Sequence, residues 1–145
     1  MIDSLMKHIK RISRCFTLYR EDKLKDKGIN GYQHTYILKI YQNPGISQEQ
    51  LANMIFVDKS NVTRQLSALE QNGFIERIPN TDDQRQLLVF PTEKAKDLYP
   101  LVCDTIREWN KSILSGLSPD EQKQLISLLD KVAAQAIKAT EVIQK

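Results

Sequence analysis

The chain is poor in the residues that build catalytic and metal centres. Its 145 residues include two cysteines, two histidines, five glycines, five prolines and one tryptophan. Cys15 and Cys103 are far apart and form no CxxC pair, so they point to a reducing cytoplasm and not to a disulfide framework. No cluster of Cys, His, Asp and Glu has metal-ligand spacing, and no metal is expected. There is no glycine-rich phosphate loop and no nucleophile elbow, so no cofactor is implied and the chain does not read as an enzyme. Apolar runs are only a few residues long, too short for a transmembrane span, and no membrane partner is expected. The segment Met1-Ile2-Asp3-Ser4-Leu5-Met6-Lys7-His8 lacks a continuous hydrophobic core and a small-residue cleavage site. It reads as structure, not as a signal peptide.

What is present is an ordinary globular composition, with 27% charged residues. The length suits one compact domain with a real core, or a small domain with long flanking helices. Net charge is +3 and the pI about 8.8. That balance is compatible with nucleic acid and falls short of the strongly basic signature that would establish it.

Ile2, Leu5, Ile9, Ile12, Phe16 and Tyr19 recur at spacings of three and four, an apolar seam along one helix that Gly28 is expected to end. Lys7, Lys10, Arg11, Arg14 and Arg20 lie between them and read as a solvated basic face. Asn30 can cap a second helix with Tyr36, Ile37, Ile40 and Tyr41 inward, and Asn43-Pro44-Gly45 breaks the chain. Ser47-Gln48-Glu49-Gln50 is a capping box for a short helix with Leu51, Met54 and Ile55 inward. Phe56-Val57 makes a turn, and Asp58 caps a helix that stops at Asn72-Gly73. Phe74–Ile78 and Leu87–Phe90 form a hairpin. Thr92 caps a long helix bearing Leu98, Leu101, Val102, Ile106, Trp109 and Ile113, with a kink expected at Pro100. Ser118-Pro119-Asp120-Glu121 starts the last helix, which carries Leu125, Leu128, Leu129, Val132 and Ala136 and fades into Val142 and Ile143. The apolar stripes of both terminal helices need partners. The economical one is the same region of a second copy, which gives a twofold homodimer; the alternative is that they fold back on their own domain.

The helix from 58 to 72 has the features of a reader of double-stranded DNA. At roughly 100° per residue, Val62, Leu66 and Leu69 share the core stripe. Opposite lie Ser60, Arg64, Ser67 and Gln71, with Asn61, Thr63 and Gln65 on the flanks. A face that meets only water more often carries Lys and Glu at several of these places. Short hydroxyls and amides suit close approach to phosphates and base edges, and Arg64 can reach a guanine bidentately or a phosphate. Lys59 and Ser60 sit in the first turn, where free N–H groups attract phosphate. In the hairpin tip, Asp82-Asp83-Gln84-Arg85, Arg85 suits a narrow minor groove and Asp83 is the candidate to orient it. Alone, that pair would read as a surface ion pair of little consequence.

The run Leu51-Ala52-Asn53 and Val62 through Arg77, the tip Asp82-Asp83-Gln84-Arg85, Leu88-Val89, Thr92-Glu93-Lys94-Ala95 and Leu117-Ser118-Pro119-Asp120-Glu121 together resemble the MarR family of transcriptional regulators. Ala95 replaces the family's usual glycine, and Asp83-Gln84-Arg85 replaces its commoner Asp-Arg-Arg, so one wing arginine is missing. The resemblance spans essentially the whole chain. It implies a mainly α (α+β) winged helix-turn-helix fold with N- and C-terminal dimerisation helices. The expected division is a helical dimerisation region at 1–28 and 93–145 and a DNA-binding module at 29–92, with the reading helix at 58–72 and the wing at 74–90. It further implies a homodimer on a pseudo-palindromic operator, acting as a repressor released by a small molecule or oxidant. The rival class is a winged helix used for protein interaction without sequence-specific DNA binding, whose outer face should be apolar or acidic.

Two switches are open. Cys15-Phe16-Thr17-Leu18-Tyr19 resembles the first-helix cysteine segment of the family's organic-peroxide sensors, which makes Cys15 a candidate redox sensor. Arg11 and Arg14 lie within a turn of it, but Tyr32 and Tyr36 do not fall where those sensors place their tyrosines. The plainer reading is a buried structural cysteine. The other switch is a small aromatic or lipophilic effector, for which Tyr19, Tyr36, Tyr41 and Trp109 could line a pocket, though aromatics on amphipathic helices are more often core.

Overall fold

The computed structural model describes residues 2–143. Along the chain run α1 (Ser4–Leu24), α2 (Gln33–Gln42), β1 (Ile46–Ser47), α3 (Gln48–Ile55), α4 (Lys59–Gln71), β2 (Ile75–Pro79), β3 (Leu87–Pro91), α5 (Glu93–Ile113) and α6 (Pro119–Thr140). They fall into two compact units, Met1–Trp109 and Asn110–Lys145. No helix among the described residues is long and apolar enough to cross a membrane.

In the first unit, Val62, Leu66 and Leu69 of α4 meet Ile37 and Ile40 of α2, Leu51 of α3, Phe74, Val89 and Val102 in one core. All nine are at most 1% exposed, and each buried aliphatic or aromatic side chain contributes about 1.5–3 kcal/mol. The three-residue stripe read along α4 is thus the stripe that packs. Met54, expected inward, is exposed, and Ala52 is buried in its place. The short helix turns a face containing Leu51 and Ala52 to the core.

The caps follow local sequence. Ser47 Oγ accepts the Gln50 N–H while Gln50 Oε1 accepts the Ser47 N–H, and Asp58 Oδ1 accepts the Asn61 N–H at 2.7 Å. Phe56 ends α3 with φ 64°, a left-handed residue that turns the chain sharply into α4. The hairpin is antiparallel with Arg77 opposite Val89. Its β3 strand also pairs with β1, giving the order β1-β3-β2. That two-residue strand was not expected: it follows Gly45, whose φ of +84° lets its N–H reach Val89 O at 2.8 Å.

The first helix departs from its expected form. It ends at Leu24, not at Gly28, because Asp26 and Gly28 both adopt positive φ (65° and 85°) and turn the chain early. Its apolar seam is also divided. Leu24 is buried and Phe16 and Tyr19 pack on Trp109, whereas Ile2, Leu5 and Ile12 are more than half exposed. Arg20, expected on a solvated face, is buried. Its Nη1 donates to His34 Nδ1 at 3.0 Å, its Nη2 to Thr17 Oγ1, and its guanidinium lies 4.2 Å from the Phe16 ring centre. Gly31 permits the close approach of the chain here, since a Cβ would sit 2.7 Å from Glu21 Cγ.

In the second unit, Ser118 and Glu121 form a capping box with Pro119 in the first turn of α6. None of the residues of α6 is buried, and Ile126, Leu128, Leu129, Val132 and Ile137 are each at least 41% exposed.

Candidate nucleic-acid interface

The outer face of α4 and the wing form one continuous surface. Between α3, α4 and β3 lies a cleft of about 470 Å³ lined by Gln48, Glu49, Lys59, Val62, Thr63, Asp83, Arg85, Gln86 and Leu87. Lys59 and Thr63 line it, and Ser60 and Arg64 are exposed on the same helix. Ser60 Oγ donates to Asp58 Oδ1 at 2.9 Å and Thr63 Oγ1 to Lys59 O at 3.0 Å. Lys59 Nζ lies 3.8 Å from Glu49 Oε1, a loose and exposed pair. The Asn61 N–H and the Ser60 hydroxyl hold the Asp58 carboxyl below its usual range, so the cap keeps its charge near the helix start. Arg64 has neither hydrogen bond nor ion pair among the described residues.

Three residues read as open to DNA are already engaged. Tyr36 Oη donates to Asn61 Oδ1 at 2.6 Å, and Gln33 Nε2 donates to Gln65 Oε1 at 3.2 Å. Both bonds tie α4 to α2, because the Asn61–Gln65 flank turns further inward than an even split between core and solvent would place it. Burial pushes the Tyr36 phenol up to about 12, with the Asp58 charge adding to the effect, so it stays a neutral donor. Ser67 accepts from Arg77 Nη2 at 3.3 Å.

In the wing, Asp83 Oδ1 accepts both the Arg85 backbone N–H at 3.1 Å and its Nε at 3.3 Å. The arginine side chain remains 93% exposed. Arg77 on β2, which the sequence reading passed over, fastens the wing to the helices: it reaches Glu70, Ser67 and Gln48 together.

Cys15 is exposed on the single chain, so the core of its own chain does not bury it. It lies on α1 well out of phase with Phe16, Thr17, Arg20 and Leu24, the residues that face the core. The four aromatics considered for an effector pocket do not converge. Tyr19 packs on Trp109, Tyr41 stacks on Tyr99 with ring centres 3.9 Å apart, and Tyr36 on α2 points its hydroxyl at Asn61 of α4.

A capped polar helix following a short helix and a left-handed turn, flanked by a charged antiparallel hairpin, defines a winged helix-turn-helix protein. The sequence pattern described as the MarR family matches residues 29–87. An uncharacterized HTH-type transcriptional regulator, YybA of Bacillus subtilis (strain 168), is 32% identical over 144 residues, covering 99% of this chain and 96% of the relative. The chain belongs to the MarR family of transcriptional regulators. The crystal structure of the transcriptional regulator SlyA superposes with TM-score 0.93 at 28% identity, covering 97% of this chain and 99% of that one. A putative MarR family regulator from Listeria monocytogenes, complexed with 26mer DNA, superposes with TM-score 0.91 at 28% identity over 97% and 94% of the two chains.

Proposed function

We propose that the protein is a homodimeric, sequence-specific DNA-binding repressor acting in the cytoplasm on a pseudo-palindromic operator. Residues 29–92 read DNA and the helices in 1–28 and 93–145 join the copies. The observation that carries this reading is the exposed, unpaired Arg64 among short polar side chains on α4, the helix whose Lys59 and Thr63 share a cleft with the Asp83-oriented Arg85. Lys59, Ser60, Thr63 and Arg64 approach bases and phosphates in the major groove, Asn61 and Gln65 reach it through their free amide ends, and Ser67 stands at the margin. Arg85 enters the minor groove. The Listeria relative bound to DNA supports carrying this mode to the present chain. Exposed apolar stripes on α6 and the first half of α1 support pairing through the terminal helices.

The decisive experiment is selection of bound sequences from a random DNA pool, followed by affinity measurements over a salt series. A palindromic motif with half-sites about one helical turn apart, and affinity that falls steeply with salt, are expected. Recovery of no motif would favour a protein-interaction module. Release is assigned to a small aromatic or lipophilic effector or to oxidation of Cys15. For the second, operator binding is compared before and after organic hydroperoxide in wild type and Cys15→Ser; equal responses rule Cys15 out.

A further inference from the structure

Gln33 is 95% buried by its 5% relative exposure, and its two amide ends do different things. Its Oε1 accepts the backbone N–H of Asn30 at 3.1 Å, while its Nε2 donates to Gln65 Oε1 at 3.2 Å. A backbone N–H can only donate, so the Gln33 amide has one permitted orientation: oxygen toward Asn30, nitrogen toward Gln65. Gln65 must therefore offer its oxygen to α2 and keep its NH2 for the other side. One turn earlier, Asn61 Oδ1 accepts the Tyr36 hydroxyl at 2.6 Å. Neither Asn61 Nδ2 nor Gln65 Nε2 has a partner among the described residues. Neither is enclosed, since Arg20 Nε is the buried polar atom left without one.

We infer that Gln33 is a positioning residue that fixes the polarity of Gln65, and that Tyr36, at a distance that suits O–H···O better than N–H···O, holds Asn61 the same way, so that this side of the reading helix presents amide donors and no acceptors. The inference rests on the proposal that α4 reads the major groove. A free Asn or Gln pairs bidentately with adenine, accepting from N6 and donating to N7. With both carbonyl oxygens turned to α2, that contact is lost. The flank selects base edges rich in acceptors, guanine O6 and N7 or thymine O4, over adenine and cytosine, whose exocyclic amines need an acceptor.

The test is selection from a random DNA pool with the full chain and four variants, each checked for a native circular dichroism spectrum and cooperative unfolding. Gln65→Met locates the position that Gln65 reads, where preference should vanish. Gln33→Glu, read over a pH series from about 6 to 9 so that the carboxylate is sampled, still accepts from Asn30 and when ionised faces Gln65 with an acceptor, which turns the Gln65 amide over. Preference at that position should move from guanine or thymine toward adenine or cytosine, with the affinity ratio of matched operators changing about tenfold. Tyr36→Phe frees the Asn61 amide, and adenine should become accepted at a second position. Should Gln33→Glu fail to fold, Gln65→Glu substitutes for it: one carboxylate oxygen takes the Gln33 donor and the other faces the groove, with the same shift expected. If wild type selects a motif and Gln65→Met alters it, but the polarity variants leave base preference unchanged, the inference is overturned and the DNA-reading proposal stands. A motif unaffected by Gln65→Met also overturns it. Failure of wild type to select any motif sinks the reading itself.

Discussion

Arg77 and Glu70 are joined three times: Nη2 and Nε donate to Oε1 at 3.0 and 3.3 Å, and the Arg77 backbone N–H donates to Oε2 at 3.0 Å. One carboxylate thereby fixes both the strand and its side chain to the last turn of α4. Because Arg77 also reaches Gln48 and Ser67, it sets the angle between wing and reading helix. Arg77→Met should cost on the order of 1–2 kcal/mol in denaturant unfolding, and more than Glu70→Gln, whose half-exposed pair is screened by solvent. Operator affinity should fall further than stability accounts for. The Arg77 hydrogen bonds hold the Glu70 carboxyl below the usual carboxylate range. Its contribution is therefore full above the unfolded-state value and is lost as pH falls through the folded-state value. If Glu70→Gln leaves the acid limb of the stability profile unchanged, the pair carries no stability.

Arg64 should be the most costly single truncation on the reading face. Arg64→Ala is expected to lower operator affinity by about 1–3 kcal/mol and to relax preference at one base pair of each half-site. Competition between specific and mixed genomic DNA measures both. Affinity equal to wild type would mean that α4 meets DNA through another face.

Arg85 behaves differently if it lies in the minor groove. Arg85→Ala should weaken binding across sequences and reduce the salt slope by about one, with the selected motif intact. Asp83→Ala should weaken binding too, despite removing a negative charge, because the arginine loses the carboxylate that orients it. Tighter binding by Asp83→Ala would show that its repulsion of phosphate outweighs that orienting role.

What could be foreseen from the sequence was whatever depends on near neighbours. The Ser47–Gln50 and Ser118–Glu121 boxes close across three residues, and the Val62, Leu66, Leu69 stripe repeats within one helix. The Asp83–Arg85 contact spans two positions and was likewise foreseeable. What escaped depends on where the chain returns. β1 exists because β3, some forty residues on, offers an edge. Gln33 meets Gln65 and Arg77 meets Glu70 only once α2, α4 and β2 are packed, so side chains that seemed available to DNA proved to be held from behind. Arg20 seemed a surface cation because two of its partners, His34 and Thr35, lie on another helix.

The exposed stripe of α6 should close on a second copy. Leu128 is 59% and Ile126 52% exposed, and apolar faces of this kind are covered in stable homodimers. Leu128→Glu combined with Val132→Glu should shift the protein from dimer to monomer in sedimentation while its circular dichroism stays helical. Operator affinity should fall by orders of magnitude as the two half-sites are no longer read together. A wild-type protein that sediments as a monomer at micromolar concentration removes the dimer from the proposal.

His34 makes the fold sensitive to acid from within its core. It is 2% exposed, its ring meets the edge of Phe16, and Arg20 and Thr35 face its Nδ1 at 3.0 Å each. Arg20 Nη1 lies 3.4 Å from Nε2 as well, and because an arginine can only donate, the ring must offer it an unprotonated nitrogen and so stays neutral. Burial, reinforced by the Arg20 charge, pushes the imidazole down to about 3. The unfolded chain takes up a proton near pH 6.5 that the folded chain refuses, so between those values unfolding binds a proton and stability rises with pH. Stability owed to this group is complete above about 6.5. It falls toward pH 3 with a slope approaching about 1.4 kcal/mol per pH unit. His34→Gln keeps an acceptor for Arg20 and does not titrate, so its stability should flatten between pH 6.5 and 4 relative to wild type. The direct check is the His34 ring signal in NMR, expected to stay unmoved from pH 7 to 4.5; a midpoint near 6.5 would mean that the site admits the proton and that Arg20 does not guard it.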